Sequence, residues 1–375
     1  MSVIIAILKE RTPGETRVAM IPEVAKKLKM LGAEVVLETG AGAEAFYPDA
    51  AYTDVRLVSD TTAAYSGAQI ILRVQPPTEA EVAAMPEGAV LISYLAPGKD
   101  STRVKKMLEK KITAFAMELV PRTTRGQAMD TLSSQASVAG YQAVLMAAQL
   151  CPKFFPMLTT AAGTIRPAKC VVIGAGVAGL QAIATARRLG AIVEAYDVRS
   201  AVKEQIESLG AKFISAVQGA EAQGGYAREL TEEEKAQQQV VLAKHVAGAD
   251  ALITTAAIPG RPAPKIISED MIKGMKPGSV IVDLAAETGG NCALTEAGKT
   301  VIKYGVKIHG PVNVPATMPI HASEMYAKNL LNFLQVIVKD GALAIDWNDE
   351  IIKGMLYIKD GQVVHEPSKK ALGFQ

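Results

Sequence analysis

The chain is 375 residues long, 49% hydrophobic, 21% charged and 5% aromatic. That is the make-up of a globular protein of two or three units, and it excludes a disordered or collagen-like chain. Forty Lys and Arg against 38 Asp and Glu leave a formal charge of +2, so no strong field recruits nucleic acid or an anionic membrane.

Cys151, Cys170 and Cys292 are too few and too scattered for a disulfide framework or a zinc site. They read as reduced core thiols of a cytoplasmic protein, with no metal expected. The opening residues, MSVIIAILKER, place charge after the apolar run, the reverse of a secretory leader. The uncharged stretch 131–152 carries Ser133, Ser134, Gln135, Ser137, Gln142 and Gln149, too polar for a bilayer helix. Any action at a membrane is expected to come through another chain, without direct insertion of this one.

Apolar runs alternate with helical patterns along the chain. Residues 3–8 read as a strand; Pro22 opens a helix at its first turn and Gly32 closes it. Strands follow at 34–38, 69–74, 90–94 and 113–118, with a charged helix over 103–111. This β-α-β rhythm predicts a parallel sheet covered by helices on both faces. Residues 133–150, rich in Ala, Gln and Ser, predict a helix with a close-packed face between two domains. Strands are then expected at 168–173, 192–196, 212–214, 251–255, 280–284 and 307–309, and residues 229–239 read as a solvated helix face. A loop with Pro311, Pro315 and Pro319 leads into a helix over 323–338, and Asp360-Gly361 between two apolar runs signals a hairpin. The expected fold is α/β: two Rossmann-like, doubly wound parallel-sheet domains with an interdomain cleft. One comprises residues 1–132 plus 311–375, because the C-terminal helix is expected to return; the other comprises 133–310.

The sharpest chemical signal is Gly174-Ala175-Gly176-Val177-Ala178-Gly179, which follows a strand, opens a helix and precedes a second strand ending at Asp197. Gly174 makes the tight turn, Gly176 lets backbone approach a pyrophosphate, and Gly179 lets the helix pack on the sheet. Asp197 sits 23 positions after Gly174, where a carboxylate accepts from an adenosine ribose and repels a 2′-phosphate. NAD(H) is favoured, although Arg199 beyond Val198 is a residue type that accommodates such a phosphate. Thr254 to Ala257, Pro259-Gly260, Asp283 and Gly289-Gly290-Asn291 are candidates for the nicotinamide end, and each also reads as an ordinary strand end.

A polar run, Arg122, Thr123, Thr124, Arg125, Gly126, Gln127, Asp130 and Ser133, falls at the seam between the two expected domains, where ligands bind. It reads equally as a helix start, with Asp130 or Ser133 as the cap and the arginines solvated. Proton-transferring groups are scarce. Of the four histidines, His245, His309, His321 and His365, none precedes residue 245, and His245 reads as a surface residue.

Residues 9–23 (KERTPGETRVAMIPE), 117–134 (MELVPRTTRGQAMDTLSS), 174–187, 197–199 and 275–284 (MKPGSVIVDL) resemble the NAD(H)-binding domain I of proton-translocating nicotinamide nucleotide transhydrogenases. The resemblance covers nearly the whole chain. It implies a homodimer, and direct hydride exchange between NAD(H) here and NADP(H) on a partner domain. It also implies coupling to proton translocation by membrane-spanning subunits, with this chain peripheral on the cytoplasmic face of the membrane. By position it assigns Arg122, Gln127 and Asp130 to the reacting end, Gln127 meeting the nicotinamide, with Thr123, Thr124, Arg125 and Ser133 around the nucleotide. Val177, Asp197, Val198 and Arg199 would surround the ribose and pyrophosphate. Gly225, Tyr226 and Gln238 would fall in a mobile loop and the helix after it, folding over bound nucleotide.

Alanine dehydrogenase is similar in fold and in its start. There Arg17 would match a substrate arginine, but Arg73 stands where that family has a lysine and about Ala96 where it has a histidine. The alternatives are thus an alanine dehydrogenase-like amino-acid oxidoreductase and a non-catalytic nucleotide-sensing module.

Overall fold

The computed structural model describes residues 2–215, 231–257 and 261–374. They form two units, Met1–Gln135 with Ala316–Gln375, and Ala136–Pro315.

In the first unit, β1 (Ile4–Ile7), β2 (Glu34–Glu38), β3 (Arg56–Val58), β4 (Ile70–Leu72), β5 (Val90–Ser93) and β6 (Thr113–Ala116) pair in parallel. The eight-stranded order is Gln362–Val363, Leu356–Lys359, β6, β5, β4, β1, β2, β3. Ile5, Ala6 and Ile7 are completely buried, as expected of a strand covered on both faces. α1 (Pro22–Met30) starts with Pro22 in its first turn and buries Val24, Ala25 and Leu28. They share one core with the Pro319–Ile337 helix, whose Phe333 ring meets Phe115 edge-on at 5.1 Å between centroids.

The sheet is mixed, not purely parallel. Leu356–Lys359 runs antiparallel to β6 and turns back through Asp360 and Gly361 into Gln362–Val363. Both turn residues have positive φ, 51° and 72°, the requirement of a tight two-residue hairpin.

The second unit contains β7 (Lys169–Ile173), β8 (Ile192–Tyr196), β9 (Lys212–Ile214), β10 (Ala251–Thr254), β11 (Val280–Asp283), β12 (Thr300–Lys303) and β13 (Val306–His309). They lie in the order β9-β8-β7-β10-β11-β13-β12, parallel except for β12. The chain winds outward from β7 to β9 and then crosses back to β10. A doubly wound sheet binds ligands at such a reversal, beyond the carboxyl ends of its strands. β12 is absent from the sequence reading because its face is mostly exposed; Tyr304 and Gly305, both at positive φ, fold it back along β13.

α2 (Thr131–Leu150) and α3 (Val177–Arg188) meet in this unit. A Cβ on Gly140 would lie 2.1 Å from the Ala178 carbonyl oxygen. α4 (Glu232–Ala247) buries Gln238, Leu242 and Val246, so the stretch read as a solvated face carries a core residue. Among the described residues, no helix is long and apolar enough to cross a membrane.

Gly140→Ala is therefore expected to force α2 and α3 apart and to cost about 1–3 kcal/mol. A lowered urea midpoint at unchanged slope is the expected result; an unchanged midpoint would show that the helices do not need this close approach.

Candidate functional site

In the second unit the three motif glycines have separate tasks. Gly174 has φ +95°, and a Cβ on it would lie 2.7 Å from Thr255 Oγ1. A Cβ on Gly179 would fall 1.8 Å from the Gly174 carbonyl oxygen, so only glycine lets α3 lie against the turn. Gly176 differs from both, because nothing lies within 4 Å of its missing Cβ. It is the N-cap of α3 and brings no side-chain cap, at the positive end of a twelve-residue helix. A pyrophosphate fits that opening by charge and by donor set. Val177 is the exposed first residue of the helix.

Asp197 follows β8 and is buried. Its Oδ2 accepts from the Ala175 N–H at 2.7 Å, and its Oδ1 from the Arg199 N–H at 2.9 Å. The Arg199 guanidinium adds Nε to Oδ1 and Nη2 to Oδ2, both at 2.9 Å. Val198 packs against the core beside it. Gln238 lies inside the unit, where its Nε2 donates to Tyr196 Oη at 2.8 Å; burial pushes the Tyr196 phenol up to about 12.

Past β10, the Thr255 hydroxyl donates to the Gly174 carbonyl at 3.1 Å. Fully buried Asn291 accepts from Ala256 N and donates to the Ala256 and Pro264 carbonyls. Ala257 is exposed just beyond this clamp. Asp283 accepts from Ala285 N, Cys292 N and Thr295 Oγ1. Asp283 and Asn291, read as strand-end and open-turn residues, thus organise the loops behind the candidate nicotinamide end. Pro259, Gly260, Gly225 and Tyr226 lie outside the described residues.

The polar run belongs to the first unit. The Thr123 carbonyl accepts from the Gly126 and Gln127 N–H groups at 3.0 and 3.2 Å, and a Cβ on Gly126 would lie 2.1 Å from the Pro121 carbonyl oxygen. Arg122, Thr124 and Gln127 are exposed. Arg125 is held by Asp349 in a 2.6 Å ion pair. Asp130 caps α2, accepting from Ser133 N at 2.9 Å and Ser133 Oγ at 2.6 Å. Two residues absent from the sequence reading, Asn329 and Asn332, anchor the loop by donating to the Ala128 carbonyl at 2.8 and 3.0 Å. Their only sequence signal is two asparagines three positions apart on the Pro319–Ile337 helix.

Two charged groups compared with alanine dehydrogenase, Arg17 and Arg73, are consumed internally. Arg17 is buried against Glu15 at 2.7 Å and Gln135 at 2.8 Å. Arg73, 1% exposed, lies between Glu10 at 3.4 Å and Glu81 at 2.7 Å; burial drives the Glu10 carboxyl up, against the pull of Arg73. The Ala96 N–H donates to Glu118 Oε1 at 2.7 Å. His245 is no free surface residue, since its Nδ1 lies 2.6 Å from Glu194. His309 pairs with Thr300 and His365 with Ser368. Among the described residues, no group of three or more His, Cys, Asp and Glu could hold a metal.

Two family models cover the chain: "Alanine dehydrogenase/PNT, N-terminal domain" over residues 6–139 and "Alanine dehydrogenase/PNT, C-terminal domain" over residues 143–366. The chain is 51% identical to the first part of the NAD(P) transhydrogenase alpha subunit of Rhodospirillum rubrum, over 96% of its own length and 97% of that protein's. A solved transhydrogenase from Sinorhizobium meliloti superposes with a TM-score of 0.88 at 48% identity, covering 96% of this chain and all of that one. Alanine dehydrogenase of Bacillus subtilis is 28% identical, over 99% of this chain and 95% of that protein.

Gly176→Ala is expected to leave stability within ~0.5 kcal/mol, as its new methyl meets nothing, and to raise the NADH Kd at least about tenfold, or ~1.4 kcal/mol. Gly179→Ala is expected instead to destabilise the fold by about 1–3 kcal/mol. Thermal melts and NADH titrations read both; wild-type NADH affinity in Gly176→Ala would show that the open side of the turn is not the binding side.

Proposed function

The chain belongs to the alanine dehydrogenase/PNT family, and from that premise we propose that it is the NAD(H)-binding portion of the alpha subunit of an NAD(P) transhydrogenase. In this reading the open side of Gly176 and the N-terminus of α3 receive the pyrophosphate, and Asp197 receives the adenosine ribose. NADP(H) is held by a partner domain of the complex. The reduced nicotinamide supplies a hydride and the oxidised one accepts it, so no proton changes hands at the ring. The exposed Gln127 side chain orients the NAD(H) nicotinamide, with Arg122 beside it, while Asp130 and Arg125 hold the loop that carries them. The subunit works as a homodimer on the cytoplasmic face of the membrane, and membrane-spanning partners couple the transfer to proton translocation.

One observation supports this reading over amino-acid oxidation. Oxidising an amine requires a group that takes up a proton at the substrate. At the two places where alanine dehydrogenase resemblance calls for lysine and histidine, this chain has an arginine locked between two carboxylates and an alanine. Neither side chain can exchange a proton near neutral pH. Direct ring-to-ring transfer needs orientation, not acid-base chemistry, with the reacting atoms at about 3–3.5 Å.

The test mixes the purified chain with a soluble NADP(H)-binding transhydrogenase domain. Turnover is expected only with both present, and the chain alone should consume no NADH with pyruvate and ammonium; reductive amination by the chain alone would overturn the reading. Gln127→Asn is expected to slow transfer about tenfold or more, because small misplacements of reacting groups are costly, with NADH affinity nearly unchanged. Calorimetry is expected to show NADH bound far more tightly than NADPH.

A further inference from the structure

The two oxygens of Asp197 accept from four donors in this structure. Two are backbone groups fixed by the turn, the N–H of Ala175 and the N–H of Arg199. The other two, Nε and Nη2, come from a single side chain, one to each oxygen, both at 2.9 Å. A carboxylate offers about four acceptor positions, so the set is full. The Arg199 guanidinium is itself one-fifth exposed, so it is removable in a way the backbone donors are not.

A ribose diol presents two O–H donors to a carboxylate in much the way a guanidinium fork presents two N–H donors. The fork and an adenosine ribose therefore make mutually exclusive claims on the same two oxygens. We infer that the Arg199 side chain is a built-in competitor for the ribose-diol position on Asp197, which NAD(H) must displace to bind and which returns to the carboxylate as NAD(H) leaves. This inference rests on the dinucleotide reading of the site.

The arginine then weakens NAD(H) binding and speeds release, which suits a subunit that must exchange its nucleotide at every turnover. It also narrows nucleotide choice. A guanidinium displaced from Asp197 can pair with a 2′-phosphate, so it penalises NADH while softening the rejection of NADPH. Removing it widens the preference for NADH.

Arg199→Lys decides the matter, because it keeps the positive charge and loses the fork; Arg199→Met removes both. Calorimetry and stopped-flow displacement on the full chain would use NADH, its analogue lacking the adenosine 2′-hydroxyl, and NADPH. Arg199→Lys is expected to bind NADH about two- to fivefold more tightly, the scale of a partly exposed ion pair, with the gain in a slower dissociation rate. The deoxy analogue should gain less, since it cannot present both hydroxyls. Arg199→Met should bind NADPH more weakly than wild type. Thermal melts establish that each variant is folded. Asp197→Asn separates the two ways of being wrong. If it weakens NADH while Arg199→Lys binds NADH no more tightly than wild type, the competitor is refuted and the site stands. If Asp197→Asn binds NADH like wild type, the dinucleotide reading of this site falls.

Discussion

The second unit is built around one steric constraint. The Gly174 carbonyl oxygen occupies the place where residue 179 would carry a Cβ, 1.8 Å away. That contact lays α3 directly on the strand–helix turn and leaves its N-terminus open beside Gly176. The same turn points the Ala175 N–H at Asp197 beyond β8, and it receives the Thr255 hydroxyl from beyond β10. Three parallel strands are thereby tied to one point at their carboxyl ends. The first turn of α3 starts at that point, beside a glycine whose Cβ position has no neighbour within 4 Å.

Much of this was legible in the residues. The runs at 34–38, 192–196 and 212–214 became strands with the same bounds, because short, largely apolar runs recur there between helical patterns. Asp360-Gly361 read as a hairpin because both residues tolerate positive φ. What escaped the sequence was tertiary. β12 is mostly exposed and carries no alternation to betray it. Asn291 read as part of an open turn, whereas every polar atom of its side chain is bonded to backbone; no local pattern encodes a clamp on a segment 35 residues away. Asn329 and Asn332 belong to a helix some 200 positions after the loop they anchor. The polar run already allowed a helix start with Asp130 as its cap, and Asp130 does cap α2. The pairing of Arg125 with the distant Asp349 had no local signal.

The chemistry follows from what the side chains are prevented from doing. Arg73 is enclosed by Glu10 and Glu81, Arg17 by Glu15 and Gln135, and the described histidine contacts are with Glu194, Thr300 and Ser368. A fold shared with alanine dehydrogenases thus has Arg17 and Arg73 committed to neighbouring carboxylates instead of free to move a proton at a substrate carbon. Its remaining assets are an open glycine turn at a helix N-terminus and an anchored loop with an exposed amide. Those assets suit presenting a reduced ring to an oxidised one.

The most direct measurement follows the hydrogen itself. NADH carrying deuterium at the transferring C4 position would be mixed with this chain, an NADP(H)-binding transhydrogenase domain and NADP⁺ in ordinary water, and the NADPH formed analysed by mass spectrometry. Direct transfer predicts that the deuterium appears in NADPH without dilution by solvent. Loss of the label to water would mean that a protein group or solvent handles the hydrogen between the two rings, and would contradict the account.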